Sequence, residues 1–271
     1  MTLGTDSREK EQKKNIDVAS RVARGLSLIA GGTVPVDIRP AQFALADSTI
    51  PRMVEGRERP SGMGERWCIP ASPVPTLSEL FAGHVRDAGW AGFLLPQVDA
   101  KRPLLWVQER MAILESGRIY PPGVGCPGLI HVEARDARAA LWAMEEGLRC
   151  SALSAVIGEI WGDPASLDFT ATRRLAVAAE RSGVACWLVR LGGSANLSGA
   201  RMRWRIESRP SLLHPFDPRA SGLPAWDADL FRSRASPPGR WRIAHDGTAD
   251  AFHLVAQPGD RALGEVERRS A

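Results

Sequence analysis

The chain has 271 residues, 44% hydrophobic and 24% charged, with a formal net charge of +4. This balance excludes a disordered chain, a fibrous repeat and a disulfide-stapled miniprotein, and the length suffices for one large domain or two modest ones. No run approaches the roughly 18 apolar residues of a membrane span, and the opening MTLGTDSREKEQKKN is polar where a secretory signal needs an apolar stretch. A soluble, cytoplasmic protein without membrane contact is the expectation.

Residues 6–30 predict one amphipathic helix. Asp6 is placed to cap it, Glu9 stands in capping-box register, and Ile16, Ala19, Val22, Leu26 and Ile29 recur at helical spacing. Gly31-Gly32 ends it, and a linker rich in Pro, Gly and Arg runs to residue 65. From residue 66 short apolar runs alternate with helical stretches. Strands are expected at 66–69, 104–108, 129–132, 155–160 and 184–190, mostly apolar on consecutive residues, as in strands covered on both faces. Helices are expected at 76–90, 136–149 and 168–181. Ala137, Leu141, Met144 and Leu148 make the apolar stripe of the second. The third has Asp168 as N-cap, Phe169, Thr172, Ala176 and Ala179 on one face, and Ser182-Gly183 as its end. Such alternation specifies an α/β fold with a mainly parallel sheet flanked by helices and joined by right-handed crossovers.

Leu191–Ala200 (LGGSANLSGA) reads as a flexible glycine-rich loop. In RMRWRIES, Met202, Trp204 and Ile206 alternate with Arg201, Arg203, Arg205 and Glu207, the pattern of a half-buried antiparallel strand. WRIAH and AFHLVA flank Asp246-Gly247 and predict a β-hairpin, followed by a charged tail. Three regions result: an arm and linker at 1–65, an α/β core at 66–208, and a C-terminal extension at 209–271. Removal of the extension is expected to leave the core folded.

In an open parallel sheet, ligands bind where loops leave the carboxyl ends of the strands. With RWCI as the first strand, the exit segment is PASPVPTLSEL. A phosphate-cradling loop there needs glycines, a lysine and a hydroxyl for Mg²⁺; this segment has three prolines and neither glycine nor lysine. LGGSANLSGA also lacks lysine. No nucleotide cofactor and no catalytic residue are therefore expected. Glu109 and Glu159 stand at strand ends where a nucleotide hydrolase orients water and holds Mg²⁺. The simpler expectation for Glu159 is a pair with an arginine at the sheet rim.

The four cysteines, Cys68, Cys126, Cys150 and Cys186, lack the paired spacing of a zinc site or redox motif, so no metal is expected. Cys150 and Cys186 read as buried thiols. There is no GxSxG, and the five histidines are scattered; His131 on its strand reads as a packed residue. Trp106, Trp142, Trp161, Trp187 and Trp204 fall on strands, helices or strand ends and read as mostly core, whereas Trp226 and Trp241 are candidate anchors for a partner. Only four of the 35 basic residues are lysines, so a nucleic-acid reading must rest on local clustering rather than on net charge. Such a cluster exists. Arg201, Arg203 and Arg205 are spaced by about 6.7 Å along a strand, close to the phosphate spacing of a nucleic acid, and Arg190 lies across the loop. They are candidate single-stranded DNA contacts; the alternative is a solvated face whose arginine stems cover the sheet.

The succession LLWVQER, DARAALWAMEEGLR, SAVIGEI, DFTATRRLAVAAERSG, VACWLVR, a glycine-rich loop and ARMRWRIESRPS resembles a RecA-type core. More closely it resembles the ImuA family of RecA-like accessory proteins of SOS mutagenesis, with MEEGLR, TATRRLAVAAE, RWRIESRPS and GRWRIAHDG as the specific points over roughly residues 66–260. The resemblance implies a role in error-prone translesion DNA synthesis during the response to DNA damage. Its implied partners are an ImuB-like inactive Y-family polymerase relative and an error-prone replicative-type polymerase, with RecA and single-stranded DNA as further candidates. It also implies that Glu109 matches a catalytic glutamate, that Glu159 falls near the Walker B acid, and that Arg190 replaces a glutamine. Residues 191–200 would correspond to the second DNA-binding loop. The missing Walker A motif departs from the RecA pattern, so a non-catalytic adaptor is expected; a RecA-type ATPase and a SulA-like cell-division inhibitor are the alternatives.

Overall fold

Continuous apolar runs such as LLWV, AVIG and WLVR become central strands because both of their faces are covered. The computed structural model describes residues 62–255; the expected helix at 6–30, most of the linker and the charged tail lie outside them. In chain order the elements are β1 (Met63–Trp67), β2 (Leu77–Ala82), α1 (Trp90–Leu94), β3 (Leu104–Glu109), α2 (Arg110–Ser116), α3 (Pro121–Val124), β4 (Leu129–Ala134), α4 (Ala137–Gly147), β5 (Ala155–Trp161), α5 (Phe169–Ser182), β6 (Ala185–Leu191), β7 (Met202–Arg209), β8 (Ala225–Ser233), β9 (Gly239–Asp246) and β10 (Ala251–Val255). Among the described residues one ten-stranded sheet holds these strands, in the order β1-β10-β9-β8-β7-β2-β6-β5-β3-β4. The run from β7 to β4 is parallel. From β7 outward through β8, β9 and β10 to β1, every pairing is antiparallel. The fold is mixed α/β, with helices on both faces of its parallel half.

Each face has its own core. On one, Leu141 and Met144 of α4 and Leu175 and Ala179 of α5 pack on Leu105, Val107, Val156 and Leu188. Asp136 and Asp168 start these helices as N-caps, accepting bonds from Ala139 N at 2.8 Å and Ala171 N at 2.7 Å. Gly183 ends α5 at φ 69°, a left-handed turn that disfavours a side chain. The approach of α4 is close: a Cβ on Gly158 would collide with Met144, and one on Gly147 with Leu105. On the other face the core is aromatic. Trp90 and Phe93 of α1 join Trp106, Trp187 and Trp204, and the same cluster runs on into Trp226, Ile243 and Phe252 of the antiparallel half.

Four expectations are corrected. The helix expected at 76–90 is instead β2, a turn and the short α1: LSELFA is buried at five consecutive positions, a run whose periodicity alone cannot separate strand from helix. The strand expected at 66–69 is β1, an antiparallel edge strand beside β10 and not the first parallel strand. β7 is antiparallel to β8 but parallel to β2, so it joins the two halves. Phe169 is 41% exposed, outside the buried stripe of Thr172, Ala176 and Ala179. Beyond residue 209 the chain continues the same sheet, with the hairpin formed by β9 and β10.

Candidate functional site

Loops leaving β2 and β3 turn to the α1 face, whereas those leaving β4 and β5 turn to the α4–α5 face. Neighbouring β3 and β5 therefore send their chains in opposite directions, which opens a crevice at their carboxyl ends. Both candidate carboxylates lie there, and the structure separates them. Gln108 pairs with Glu159 across the strands, so Glu109, one residue on, points to the other face.

Glu159 is 3% exposed and accepts a bond from Trp106 Nε1 at 2.5 Å. The expected arginine partner is absent: among the described residues no cation pairs with it. Burial without a counter-charge pushes its carboxyl up to about 7, against the opposing hydrogen bonds of Trp106 and Gln108. Glu109 accepts a bond from Trp161 N at 2.9 Å. Its carboxyl is also raised, first by burial and further by nearby Asp136, with the Trp161 N–H opposing. A cavity of about 250 Å³ opens beside Glu159, with Trp90, Trp106, Gln108, Ile119 and Tyr120 in its wall. Gln108 is fixed in place, as its Nε2 donates to Gly117 O at 3.1 Å and its Oε1 lies 3.0 Å from both Ile119 N and His131 Nε2. His131, held in this network, has its pKa lowered to about 4, first by burial and then by Arg118.

The loop at the phosphate-cradle position is not the one the sequence suggested. Because β2 is the first parallel strand, PASPVPT lies at its amino end, and the exit loop is residues 83–89, GHVRDAG. It begins and ends with glycine but contains no lysine, serine or threonine. Its centre is held by a carboxylate. Asp87 accepts Gly89 N at 2.8 Å, Ser208 N at 2.8 Å and Ser208 Oγ at 2.5 Å. Burial pushes Asp87 upward, but the bonds from Ser208 and Gly89 outweigh it and the net shift is downward.

The arginine stripe is not one solvated row. Arg203 is 4% exposed, and its Nε donates to the fully buried Glu79 at 2.6 Å. Arg190 is equally buried; it lies 3.9 Å from Glu79, bonds Asp163 at 2.5 Å and stacks on Phe81. Burial lowers the Arg190 pKa, with Glu79 and Asp163 opposing. Both arginines point inward because Glu79, on neighbouring β2, is directly paired with Arg203 and needs a counter-charge. Arg201 bonds Glu180 at 2.7 Å. Arg205, half exposed, lies 3.7 Å from Asp229. The loop expected to be flexible is tied down: Ser194 N donates to Asp163, Ser198 Oγ to Glu79 at 2.7 Å, and Gly199 N to Thr172 Oγ1 at 2.9 Å.

Neither tryptophan expected as a partner anchor is fully exposed: Trp226 is a core residue, and Trp241 is partly buried against the same cluster. Trp226 is 4% exposed, and its ring lies over Gly92, where a Cβ would collide. Trp241 packs between Trp67 and Trp204, with ring centroids 5.1 and 6.3 Å away. The β7–β10 sheet needs apolar cover on its α1 face, and these indoles supply it. Among the described residues no cluster of His, Cys, Asp and Glu has the arrangement to hold a metal ion, and no helix is long and apolar enough to cross a membrane.

No family model matches the chain, and no curated protein does. Among solved structures the chain is similar to the crystal structure of the RadB recombinase, at 10% identity and a TM-score of 0.43, covering 68% of this chain and 92% of that one.

Proposed function

We propose that the chain is a non-catalytic, RecA-like adaptor of the ImuA type, which supports error-prone translesion synthesis after DNA damage through protein partners. The observation that carries the non-catalytic part is the exit loop of β2. A triphosphate site draws its affinity from inward-turned N–H groups, a lysine and a hydroxyl for Mg²⁺. Here the loop supplies Asp87 instead, a carboxylate that already takes the N–H groups of Gly89 and Ser208. A second negative charge at that point repels a phosphate. Glu109 and Glu159 face opposite sides of the sheet, so the two carboxyls do not form a pair.

The mutasome part is supported by the sequence resemblance at MEEGLR, TATRRLAVAAE, RWRIESRPS and GRWRIAHDG. Its partners would be an ImuB-like inactive polymerase relative and an error-prone replicative-type polymerase, with RecA and single-stranded DNA as further contacts. Two measurements test it. Purified protein should show no ATP turnover above background; turnover that disappears in Glu109→Gln would promote the ATPase reading. Co-purification from damage-treated cells should recover polymerase-like partners, and recovery of a tubulin-like division protein instead would favour the SulA-like reading.

A further inference from the structure

Among the described residues, the side chains that hydrogen-bond Glu159 are both donors, Trp106 and Gln108. Its surroundings supply no cation among the described residues, so below about pH 7 the carboxyl keeps its proton rather than carry a charge into an apolar site. A protonated carboxyl has one O–H to give. Trp106 Nε1 and the Gln108 amide, which face it, are themselves donors. The Gln108 oxygen is already within 3.0 Å of Ile119 N and His131 Nε2. Glu159 lines the cavity, so an acceptor placed there can meet its O–H.

The cavity restricts what can enter. Its wall is mostly apolar, and Trp90 and Trp106 lie side by side in it, with centroids 6.0 Å apart and ring planes tilted by 46°. At about 250 Å³ it is smaller than the roughly 300 Å³ and above of drug-sized sites. A one- or two-ring fragment fits, whereas the phosphates of a nucleotide would meet the carboxylate of Asp87 in the same wall. At the rim Arg118 pairs with Glu133, and Arg86, 73% exposed, lies 4.0 Å from Glu115. Asp87 and Glu159 place two carboxyls in the same wall, so the site does not favour an anion. An anionic ligand would face these carboxyls, and a purely aliphatic one leaves the carboxyl proton unused.

We propose that this cavity is a binding site for a small, uncharged nitrogen heterocycle, which packs on Trp90 and Trp106 and accepts a hydrogen bond from the Glu159 carboxyl. The site is independent of the adaptor reading, since it needs neither a polymerase partner nor DNA.

Free 2-aminopurine, a neutral two-ring base whose fluorescence is quenched on aromatic stacking, is the probe. Full-length protein at pH 6 should quench it saturably. Adenine should compete and ATP should not. Glu159→Leu removes the donor and should weaken binding about five- to tenfold, whereas Glu159→Gln, which keeps a donor, should bind within a few-fold of wild type. Gly123→Phe tests the cavity without touching its buried wall: Gly123 is an exposed lining residue with room for a side chain, so the substitution closes the mouth of a folded protein and should abolish quenching. Absence of saturable quenching by the wild type, undiminished binding in Gly123→Phe, or equal affinity in Glu159→Leu would each overturn the proposal. Competition by ATP as strong as by adenine would do the same, since the cavity would then extend to phosphate.

Discussion

The parallel and antiparallel halves of the sheet solve the same burial problem differently. In the parallel half β3, β5 and β6 are covered on both faces, so Leu104 to Val107 and Val156 to Gly158 are buried without interruption. In the antiparallel half only the α1 face is apolar. Trp226, Ala228 and Leu230 point into it, while Asp227 and Asp229 point out and meet Arg242 and Arg240 of β9 in cross-strand pairs. β7 belongs to both halves, and its alternating arginines show what that means. Arg203 lies over Glu79 of the parallel half and is buried, whereas Arg205 meets Asp229 of the antiparallel half and is half exposed. The same residue type, two positions apart on one strand, has two physical roles because the neighbouring strands differ.

The largest expected effect tests whether the halves are separable. The aromatic cluster passes without a break from Phe93 and Trp204 to Trp226 and Phe252, and β7 without β8 becomes a long open edge. Removal of residues 210–271 should therefore abolish cooperative unfolding, seen by circular dichroism and tryptophan fluorescence in urea. A truncated chain with a sharp transition would show the parallel half to be autonomous and break the comparison.

The next effect comes from the shared strand. Arg203→Met leaves Glu79 buried with only Arg190, at 3.9 Å, for a counter-charge. Breaking a buried pair on one side costs about 3–5 kcal/mol, measurable by chemical denaturation. The double variant Arg203→Met with Glu79→Leu should recover most of the loss, because no unpaired charge remains. Equal losses in the single and double variants would mean that packing of Arg203 on Phe81 and Phe231, not its charge, holds the junction.

These contrasts mark what the sequence disclosed. The stripe Ala137–Leu141–Met144–Leu148, the caps Asp136 and Asp168 and the left-handed Gly183 follow from local rules, and α4 and α5 form where those rules place them. LSELFA is too short and too evenly apolar to show a period, so it reads as helix although it forms β2. With β2 hidden, the sequence places the phosphate-loop position at the amino end of that strand and gives no sign of Asp87 at its carboxyl end. The alternation in β7 correctly separated Trp204 from Arg203, but alternation tells faces apart and not which face is covered. Coverage depends on Glu79, 124 residues away in the chain. Trp226 and Trp241 were misplaced for the same reason: a loop-rich sequence gives no sign that its strands complete a distant core.

A pH-dependent effect tests the parallel half by itself. The folded pKa of Glu159, about 7, exceeds its ordinary value of 4.5, so between these values the unfolded chain releases a proton that the folded chain keeps. The folded state is penalised as pH rises through that window, and the penalty is complete above pH 7. Glu159→Gln should therefore be more stable than wild type by up to about 3 kcal/mol at pH 8, with the difference vanishing toward pH 4.5. His131 acts in the opposite sense. Its folded pKa of about 4 lies below the ordinary 6.5, so its contribution is intact above 6.5 and is lost as pH falls toward 4. Urea midpoints of wild type and Glu159→Gln across pH 4.5–8 separate the two, because the variant retains only the acid-side loss. A stability difference that does not change with pH would show that Glu159 is charged in the folded state.

The smallest effect is expected at Arg205, where the stripe reaches the antiparallel half. Its guanidinium is half exposed, its distance to Asp229 is 3.7 Å, and Arg240 already pairs with the same carboxylate at 3.2 Å. Removing Arg205 leaves Asp229 neutralised, so no unpaired buried charge results. Exposed pairs of this kind contribute about 0–1 kcal/mol and are screened by salt. Arg205→Gln should lower stability by less than about 1 kcal/mol, and less still in 1 M salt. The comparison with Arg203→Met is the informative one, because both replace an arginine of one strand that contacts Phe231. If Arg205→Gln costs as much as Arg203→Met, the antiparallel half buries its charges as the parallel half does, and the ladder of Arg205, Asp229 and Arg240 is covered in solution by something that excludes water.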